Sequence, residues 1–278
     1  MRVQYNFSSR RTGNILNINK QREKFPNMVR NMIRICDIII EVLDARFVDR
    51  TQNFYLENLV NRSDKKMIYV INKIDLVDRE EKKKEVEEKK IIPYVFVSCK
   101  NRSGSRALRE RIKIEAKRLH SERKIIHVGI IGYPNTGKSS LINFLVGKRS
   151  ARTASEPGFT TRLKKVKLTN GILLFDTPGV IPDLDYSMSN SEKIAQHTIV
   201  NARDYNKIKD PDFIVNTIMQ EYRDVLENFY KIPAKGDSEM LIAELGKQKN
   251  FLLKKGIIDI DRTSRFILKE WQQGKIKI

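Results

Sequence analysis

The sequence predicts an α/β fold in which a mostly parallel sheet is covered by helices and is followed by an all-helical C-terminal domain. Short β-branched apolar runs alternate with helical patterns through the first part of the chain, as a covered parallel sheet requires. Asn170-Gly171 joins two further apolar runs like the turn of a hairpin. After Asp185 the strand pattern stops and only helical periodicity follows.

Four buried strands are expected first, because apolar runs bounded by turn or charge signals are typical of parallel strands covered on both faces. They lie at residues 37–43, 67–71, 93–97 and 125–131, with helices near 51–60, 79–90, 105–120 and 138–146. Two more strands, at about 163–169 and 171–176, form the hairpin. Ligands of such sheets bind at the carboxyl ends of the strands, so this edge is where a site is expected.

This pattern divides the chain into three regions. A basic N-terminal arm with a first helix covers residues 1–35, the sheet domain covers 36–182, and the helical domain covers 183–278. Helices of the last region are predicted near 191–204, 211–229, 238–255 and 262–273. The total length allows one good-sized core and a smaller companion domain.

The composition is that of a basic globular protein. Of its 278 residues, 40% are hydrophobic and 32% are charged, and the formal net charge is +20. No apolar run reaches the eighteen residues of a membrane span, and the start lacks the hydrophobic stretch of a secretory signal, so we expect a cytoplasmic protein without membrane association. Cys36 and Cys99 have no partner spacing for zinc and are expected to be core thiols.

Residues 132–139 match the phosphate-loop pattern, directly after a strand and directly before an amphipathic helix. Its glycines let backbone N–H groups close around phosphates, Lys138 reaches the β and γ oxygens, and the Ser139 hydroxyl is a ligand for Mg²⁺. The predicted nucleotide contacts of this stretch are Asn135, Thr136, Gly137, Lys138, Ser139 and Ser140.

Two segments further along would complete the phosphate and metal site. Asp176-Thr177-Pro178-Gly179 closes a strand, where Asp176 would hold Mg²⁺ through water and the Gly179 amide would face the γ-phosphate. In the loop before it, Thr160 offers a hydroxyl that completes Mg²⁺ coordination when the γ-phosphate is present, with Thr161 as the alternative. The predicted magnesium site consists of Ser139, Thr160 and Asp176.

Asn72-Lys73-Ile74-Asp75 and Ser98-Cys99-Lys100 each follow a buried strand, so both should lie at the same carboxyl edge. The Asp75 carboxylate can accept the N1 and N2 hydrogens of guanine, a donor pair that adenine does not offer. Lys73 can cover the base, and Asn72 can brace the neighbouring loop. Taken alone, the first segment is also compatible with a simple turn. Beside a phosphate loop, the two segments predict a site for GTP and GDP.

Together these segments resemble the motifs of the GTPase superfamily. Their order is unusual because the guanine motifs precede the phosphate loop, and in this the sequence resembles the circularly permuted GTPases of the YlqF type. Asp44-Ala45-Arg46 resembles the upstream motif of that family, although Val48 stands where a Pro is usual, and residues 261–275 resemble its closing helix. The resemblance implies a permuted P-loop GTPase domain, hydrolysis of GTP and a role in ribosome assembly.

The groups that would orient the attacking water are missing from their usual places. Val180 stands where many GTPases have a Gln, and residues 25–28 lack the His found in the N-terminal motif of many YlqF-type proteins. Catalysis is therefore expected from Lys138, Thr160 and Gly179 with Mg²⁺, which predicts slow intrinsic hydrolysis. Asn135 resembles the phosphate-loop Asn that holds potassium in some GTPases, and bracing of the loop is its alternative role.

The distribution of positive charge indicates which kind of partner the protein binds. Residues 100–124 contain ten Lys or Arg against three acids, and another basic set flanks the loop with Thr160. Structured RNA is recognised through phosphate and shape, so we expect a monomer that binds rRNA or a ribosomal subunit. The alternatives are a lysine-rich thermophile surface and a regulatory switch that acts through a protein or membrane partner.

Overall fold

The structure is a computed structural model, and it describes residues 29–119, 125–147, 164–177 and 191–278. Its strands are β1 (Ile38–Asp44), β2 (Lys66–Asn72), β3 (Tyr94–Val97), β4 (Ile126–Ile131), β5 (Lys164–Thr169) and β6 (Ile172–Asp176). They form one sheet in the order β3-β2-β1-β4-β6-β5. Neighbouring strands are parallel except β5 and β6, which form the expected hairpin. The predicted mostly parallel sheet is confirmed.

The helices of the sheet domain lie close to their predicted positions. They are α1, described over residues 29–35, α2 (Val48–Thr51), α3 (Phe54–Arg62), α4 (Arg79–Glu88), α5 (Ser105–Arg118) and α6 (Lys138–Val146). The single helix expected near 51–60 is in fact two. Asn53 separates them, because its side chain accepts a hydrogen bond from the backbone N–H of Leu56 and so caps α3.

The central strand β1 is buried on both faces because its side chains alternate between two hydrophobic layers. Ile38 and Ile40 pack with α5 and α6, whereas Ile39 packs with α1 and α3. At Gly129, a Cβ atom would lie 2.0 Å from the sulfur of Met32, so glycine is what lets α1 approach the sheet. Residues 29–35 of the predicted N-terminal region therefore belong to this core, and residues 1–28 lie outside the described residues.

The strand order shows how the guanine motifs can precede the phosphate loop. Strand β4, which leads into that loop, lies in the middle of the sheet between β1 and β6. The earlier strands β1 to β3 fill one half of the sheet, and α5 packs across them before the chain enters β4. Because β1, β2, β3, β4 and β6 are parallel, the segments that follow them meet at one edge.

The C-terminal part is built from helices α7 (Ser191–Ile199), α8 (Pro211–Glu221), α9 (Val225–Tyr230), α10 (Ser238–Gln248) and α11 (Ile260–Gln272). The single helix predicted at 211–229 is broken, because Asp224 adopts a left-handed φ of 63°. Helices α7 and α10 end earlier than predicted, and Asn201 and Asn250 just beyond them are left-handed. Within the described ranges, no helix has the length and apolar character needed to cross a membrane.

Helices α7 to α11, in the region predicted as a helical domain, pack against the carboxyl edge of the sheet. Their core contains Trp271, which is 1% exposed, and is joined by Phe47, which lies just after β1, and by Tyr133 of the phosphate loop. The ring of Phe47 lies 6.1 Å from that of Trp271 and 6.0 Å from that of Tyr222. The site edge of the sheet and the helical domain thus share one hydrophobic core.

Candidate functional site

The phosphate loop connects β4 to α6 and buries its lysine. Gly132 and Gly137 adopt φ values of 142° and 101°, which favour glycine. Lys138 is 7% exposed, and its Nζ donates to the carbonyls of Gly132 at 3.0 Å and Tyr133 at 2.5 Å. Burial lowers the pKa of Lys138 to about 8, against the opposing charge of Asp176. A phosphate placed here would supply the negative charge that a buried ammonium group favours.

A hydroxyl and a carboxylate meet at the start of α6, as a magnesium site requires. Ser139 Oγ donates a 2.8 Å hydrogen bond to Asp176 Oδ2 at the end of β6. The next residue, Thr177, fixes this strand end by donating from Oγ1 to the carbonyl of Ile130 at 2.6 Å. Both potential ligands carry oxygen, the atom that Mg²⁺ prefers, so the pair fits that ion. Thr160 and Gly179, predicted for the same site, lie outside the described residues.

Asn72, at the end of β2, connects the segment expected to read the base to the phosphate loop. Its side-chain Nδ2 donates to the carbonyl of Thr136 at 2.8 Å, and its Oδ1 accepts from the backbone N–H of Cys99 at 3.4 Å. The contact is tight, because a Cβ on Gly137 would lie 2.2 Å from Asn72 Nδ2. One amide thus holds three segments of the edge together, including the Ser98-Cys99-Lys100 segment.

Asp75 is held next to that third segment. Ser98 Oγ donates to Asp75 Oδ1 at 2.5 Å and accepts from the backbone N–H of Asn101 at 3.0 Å. A carboxylate oriented in this way presents acceptors at the sheet edge where the base would lie. The preceding Lys73 adopts a left-handed φ of 63°, and Lys100 is exposed. The described residues that were expected to read guanine therefore lie together.

The remaining loop residues have mostly structural contacts. Thr136 Oγ1 donates to the carbonyl of Tyr133 at 3.0 Å, and Ser140 lies in the first turn of α6. Asn135, left-handed at φ 58°, donates from Nδ2 to the carbonyl of Asn201 at 3.0 Å. Because Asn201 lies in the helical domain, this hydrogen bond ties the phosphate loop to it.

Two charged residues of the site were not identified by reasoning on residue chemistry. Asp44 at the end of β1 accepts from Lys73 Nζ at 2.7 Å and from Arg46 Nη2 at 2.9 Å. The sequence suggested them only through the family resemblance of Asp44-Ala45-Arg46. A usable signal was present, because charged residues directly after a buried parallel strand lie at the ligand-binding edge.

Comparison with known families agrees with this geometry. A model of the family described as RsgA GTPase matches residues 14–185, more than half of the chain. A second model, described as 50S ribosome-binding GTPase, matches residues 127–245.

Two relatives with similar sequences are also described as GTP-binding proteins. An uncharacterized GTP-binding protein of Methanocaldococcus jannaschii is 38% identical over 90% of this chain and 65% of its own length. Nucleolar GTP-binding protein 2 of Schizosaccharomyces pombe is 31% identical over 92% of this chain and 48% of its own length. The chain thus spans between about half and two thirds of the length of these relatives.

Solved structures show the same fold. A GDP-bound structure of TM YlqF has a TM-score of 0.64 and 24% identity, over 89% of this chain and 94% of that one. The GNP-bound form of T. maritima YlqF also has a TM-score of 0.64, with 23% identity, over 90% and 94%. This likeness confirms the permuted arrangement that the motif order predicted.

Proposed function

The chain belongs to the RsgA GTPase family, and from this premise we propose that it binds GTP, hydrolyses it to GDP and phosphate, and acts as a ribosome-assembly factor. The proposal rests on one observation. The segment expected to read the base and the phosphate loop meet at one edge of the sheet. Asn72, three residues before the base-reading Asp75 of this proposal, donates directly to the phosphate loop at Thr136. A base and a polyphosphate bound at these two places belong to one nucleotide.

The chemistry of the edge favours guanine over adenine. Asp75 offers a carboxylate to the N1 and N2 hydrogens of guanine, and adenine would leave that half-buried acceptor without its donors. Ser98 supports this carboxylate through its 2.5 Å hydrogen bond. In this proposal the Lys73 side chain covers the base, and the backbone near Cys99 and Lys100 forms the outer wall of the base pocket.

Hydrolysis is assigned to groups that stabilise charge. Lys138 would neutralise the β and γ oxygens, with Thr160 and Gly179 facing the γ-phosphate. Ser139, Thr160 and Asp176 would hold Mg²⁺, the metal that GTPases generally use. When bound, that ion would supply positive charge that offsets the charge of the phosphates. Since no side chain is assigned to orient the water, intrinsic turnover should be slow until a partner binds.

Potassium is the second cation of the proposal. Asn135 donates from Nδ2 to the carbonyl of Asn201, which makes the amide oxygen the atom that would coordinate a monovalent cation. A potassium ion there would add positive charge near the phosphates. The loop-bracing role proposed as the alternative uses the same hydrogen bond without the ion.

Helix α5 is the proposed rRNA contact within the sheet domain. Arg106, Lys113 and Lys117 are exposed along it, and the Arg106 side chain is 93% exposed. Several neighbouring cations of the helix pair with Glu110 or Glu115, whereas no ion pair to Lys113 or Lys117 occurs among the described residues. Such a stripe suits the phosphate backbone of structured RNA. The 50S-binding family model supports the large subunit as the target. We propose that the protein acts there as a cytoplasmic monomer.

The test measures GTP turnover in potassium and in sodium, each with and without purified large or small ribosomal subunits. We expect subunits to raise turnover by at least about tenfold, potassium to exceed sodium, and binding to weaken steeply with salt. Lys113→Glu with Lys117→Glu should reduce subunit binding while leaving intrinsic turnover unchanged. The matched control is Lys83→Glu with Lys84→Glu, on the exposed side of α4 where acids and bases balance.

Two outcomes would count against this proposal. Subunits that neither bind the protein nor raise turnover would exclude the ribosomal role. Binding that is insensitive to salt and to removal of RNA would favour the alternative, a regulatory switch with a protein or membrane partner.

A further inference from the structure

The C-terminal tail packs directly on the base-reading segment. The backbone N–H of Ile278 donates to the carbonyl of Leu76 at 3.2 Å. Gly274, with a φ of 66°, lies so close that a Cβ there would stand 2.7 Å from Leu76 Cδ1. Leu76 follows Asp75 and is 4% exposed. The position of the Asp75 segment is therefore set partly by the last residues of the chain.

A second contact between these regions runs through buried charges. Asp44 pairs with Lys73 and with Arg46, and Arg46 Nη1 donates at 3.0 Å to the carbonyl of Trp271 in the last turn of α11. The side chains of Asp44 and Arg46 are 1% and 0% exposed, so water competes little for these bonds. Burial by itself would raise the pKa of Asp44, but the two cations hold it well below its usual range. Lys73 therefore has an ionised partner at neutral pH.

Arginine is suited to this position for a geometric reason. Its planar fork donates from Nε and Nη2 to the two oxygens of Asp44, while Nη1 remains for the carbonyl of Trp271. A cation at the carbonyl end of a helix also interacts favourably with the helix dipole. Arg46 thus links the partner of Lys73 to the end of α11.

The phosphate loop reaches the same turn of α11 by another route. Asn135 donates to the carbonyl of Asn201, and Asn201 Nδ2 donates to the carbonyl of Gln272 at 3.2 Å. Trp271 and Gln272 are neighbours, so both halves of the nucleotide site connect to adjacent carbonyls of one helix end.

We propose that the end of α11 and the segment to Ile278 support the guanine subsite from behind, and that Arg46 is the positioning residue that carries this support to Lys73. This inference rests on the proposed function. With the helical domain docked, Lys73 and the Asp75 segment are already ordered, so guanine binds without the entropy cost of ordering them. By reciprocity, bound guanine nucleotide strengthens the contact between α11 and the sheet domain.

The first test is Arg46→Lys, which keeps the charge but cannot serve Asp44 and Trp271 together. We expect fluorescent GDP to bind about tenfold more weakly. The affinity for inorganic tripolyphosphate, which occupies the phosphate loop without a base, should be unchanged. The matched control is Arg50→Ala, which removes the exposed 2.8 Å ion pair between Arg50 and Glu221 of the helical domain and should leave both affinities unchanged.

A second pair of variants tests the contact of the tail with Leu76. It also provides an independent test if Arg46→Lys does not fold. Gly274→Ala adds a methyl group against Leu76, whereas Gly236→Ala has a similar left-handed φ of 82° with nothing within 4 Å. We expect weaker GDP binding for Gly274→Ala alone. Both variants carry comparable backbone strain, so a difference between them reports the contact with Leu76.

A measurement on the unmodified protein completes the test. GDP should slow hydrogen exchange of the amides at residues 272–278, and ADP at the same concentration should not. Unchanged exchange there on GDP binding, or equal GDP affinity in Arg46→Lys, Gly274→Ala and the unmodified protein, would overturn the inference. Failure of the unmodified protein to bind GDP would instead refute the proposed function.

Discussion

The side-chain amide of Asn72 donates a 2.8 Å hydrogen bond to the backbone carbonyl of Thr136, 64 residues further along the chain. The segment expected to read the base therefore directly supports the loop expected to hold the phosphates. In the permuted chain this bond connects the first half of the sheet to the second. A side chain added at Gly137 would collide with the Asn72 amide, so a substitution there tests the importance of this hydrogen bond.

Gly137→Ala should impair nucleotide binding through this contact. The added Cβ would lie 2.2 Å from Asn72 Nδ2, at a φ of 101°, so both the amide and the loop must move. We expect GDP affinity to fall by at least about 30-fold, from left-handed strain plus the lost hydrogen bond. Gly147→Ala is the control, because its φ is 72° and its Cβ meets nothing within 4 Å. Equal affinities in the two variants would show that the contact is unimportant.

Asp75→Asn should change the preferred base. The new amide offers a donor where the carboxylate offered only acceptors, so it mismatches the N2 amino group of guanine and matches the C2 carbonyl of xanthine. We expect the affinity for GDP to fall by at least about 100-fold, while the affinity for xanthosine diphosphate (XDP) rises. Competition of GDP and XDP against a fluorescent nucleotide measures both. Ser98→Ala, which removes only the 2.5 Å support of Asp75, should weaken GDP without favouring XDP.

Nucleotide binding should take up a proton at high pH. The pKa of Lys138 is about 8 without nucleotide, chiefly because of burial, and adjacent phosphates would raise it. Above pH 8 the free protein has lost that proton and must regain it on binding, so affinity should fall by up to about tenfold per pH unit. Calorimetry at pH 7 and 9, in two buffers of different ionisation enthalpy, measures the uptake.

The variant Lys138→Arg is the control for this proton uptake. Lys138→Arg keeps its charge throughout this range, so its weaker binding should show no uptake at pH 9. Uptake that persists in this variant would assign the proton to another group, such as Lys73.

Glu41→Gln should stabilise the fold at high pH. Burial, together with the nearby Glu57, raises the pKa of Glu41 well above its usual range, so the native state retains a proton that the unfolded chain loses. Stability is therefore lost as pH rises from about 4.5 towards the native pKa, at up to about 1.4 kcal/mol per pH unit. Glutamine stays neutral and can still accept the 2.8 Å hydrogen bond from the backbone of Asn53.

Urea unfolding at pH 5.5 and pH 8 tests this prediction. The advantage of Glu41→Gln over the unmodified protein should grow between the two values. Glu81→Gln, on the exposed side of α4, should show no such change. A constant difference across pH would mean that Glu41 is ionised in the native protein.

The sheet could be predicted within about one residue at most strand ends, because continuous β-branched runs leave few alternatives to a buried strand. The helical domain was predicted less well. Its periodicity continues past Ile199 and Gln248, but the chain turns there with Asn201 and Asn250 in left-handed conformations. Those turns depend on packing between helices, which a local pattern does not contain.

The sequence by itself predicted the nucleotide chemistry proposed for this protein. Lys138, Ser139 and Asp75 stand in short segments whose strand-to-loop context predicts their roles, and the order of these segments predicted the permuted fold. The tertiary structure decided how the segments are held. Arg46 contacts the carbonyl of Trp271, and Leu76 accepts from the backbone of Ile278. Every residue carries such backbone groups, so no sequence pattern identifies the pair that a fold brings together.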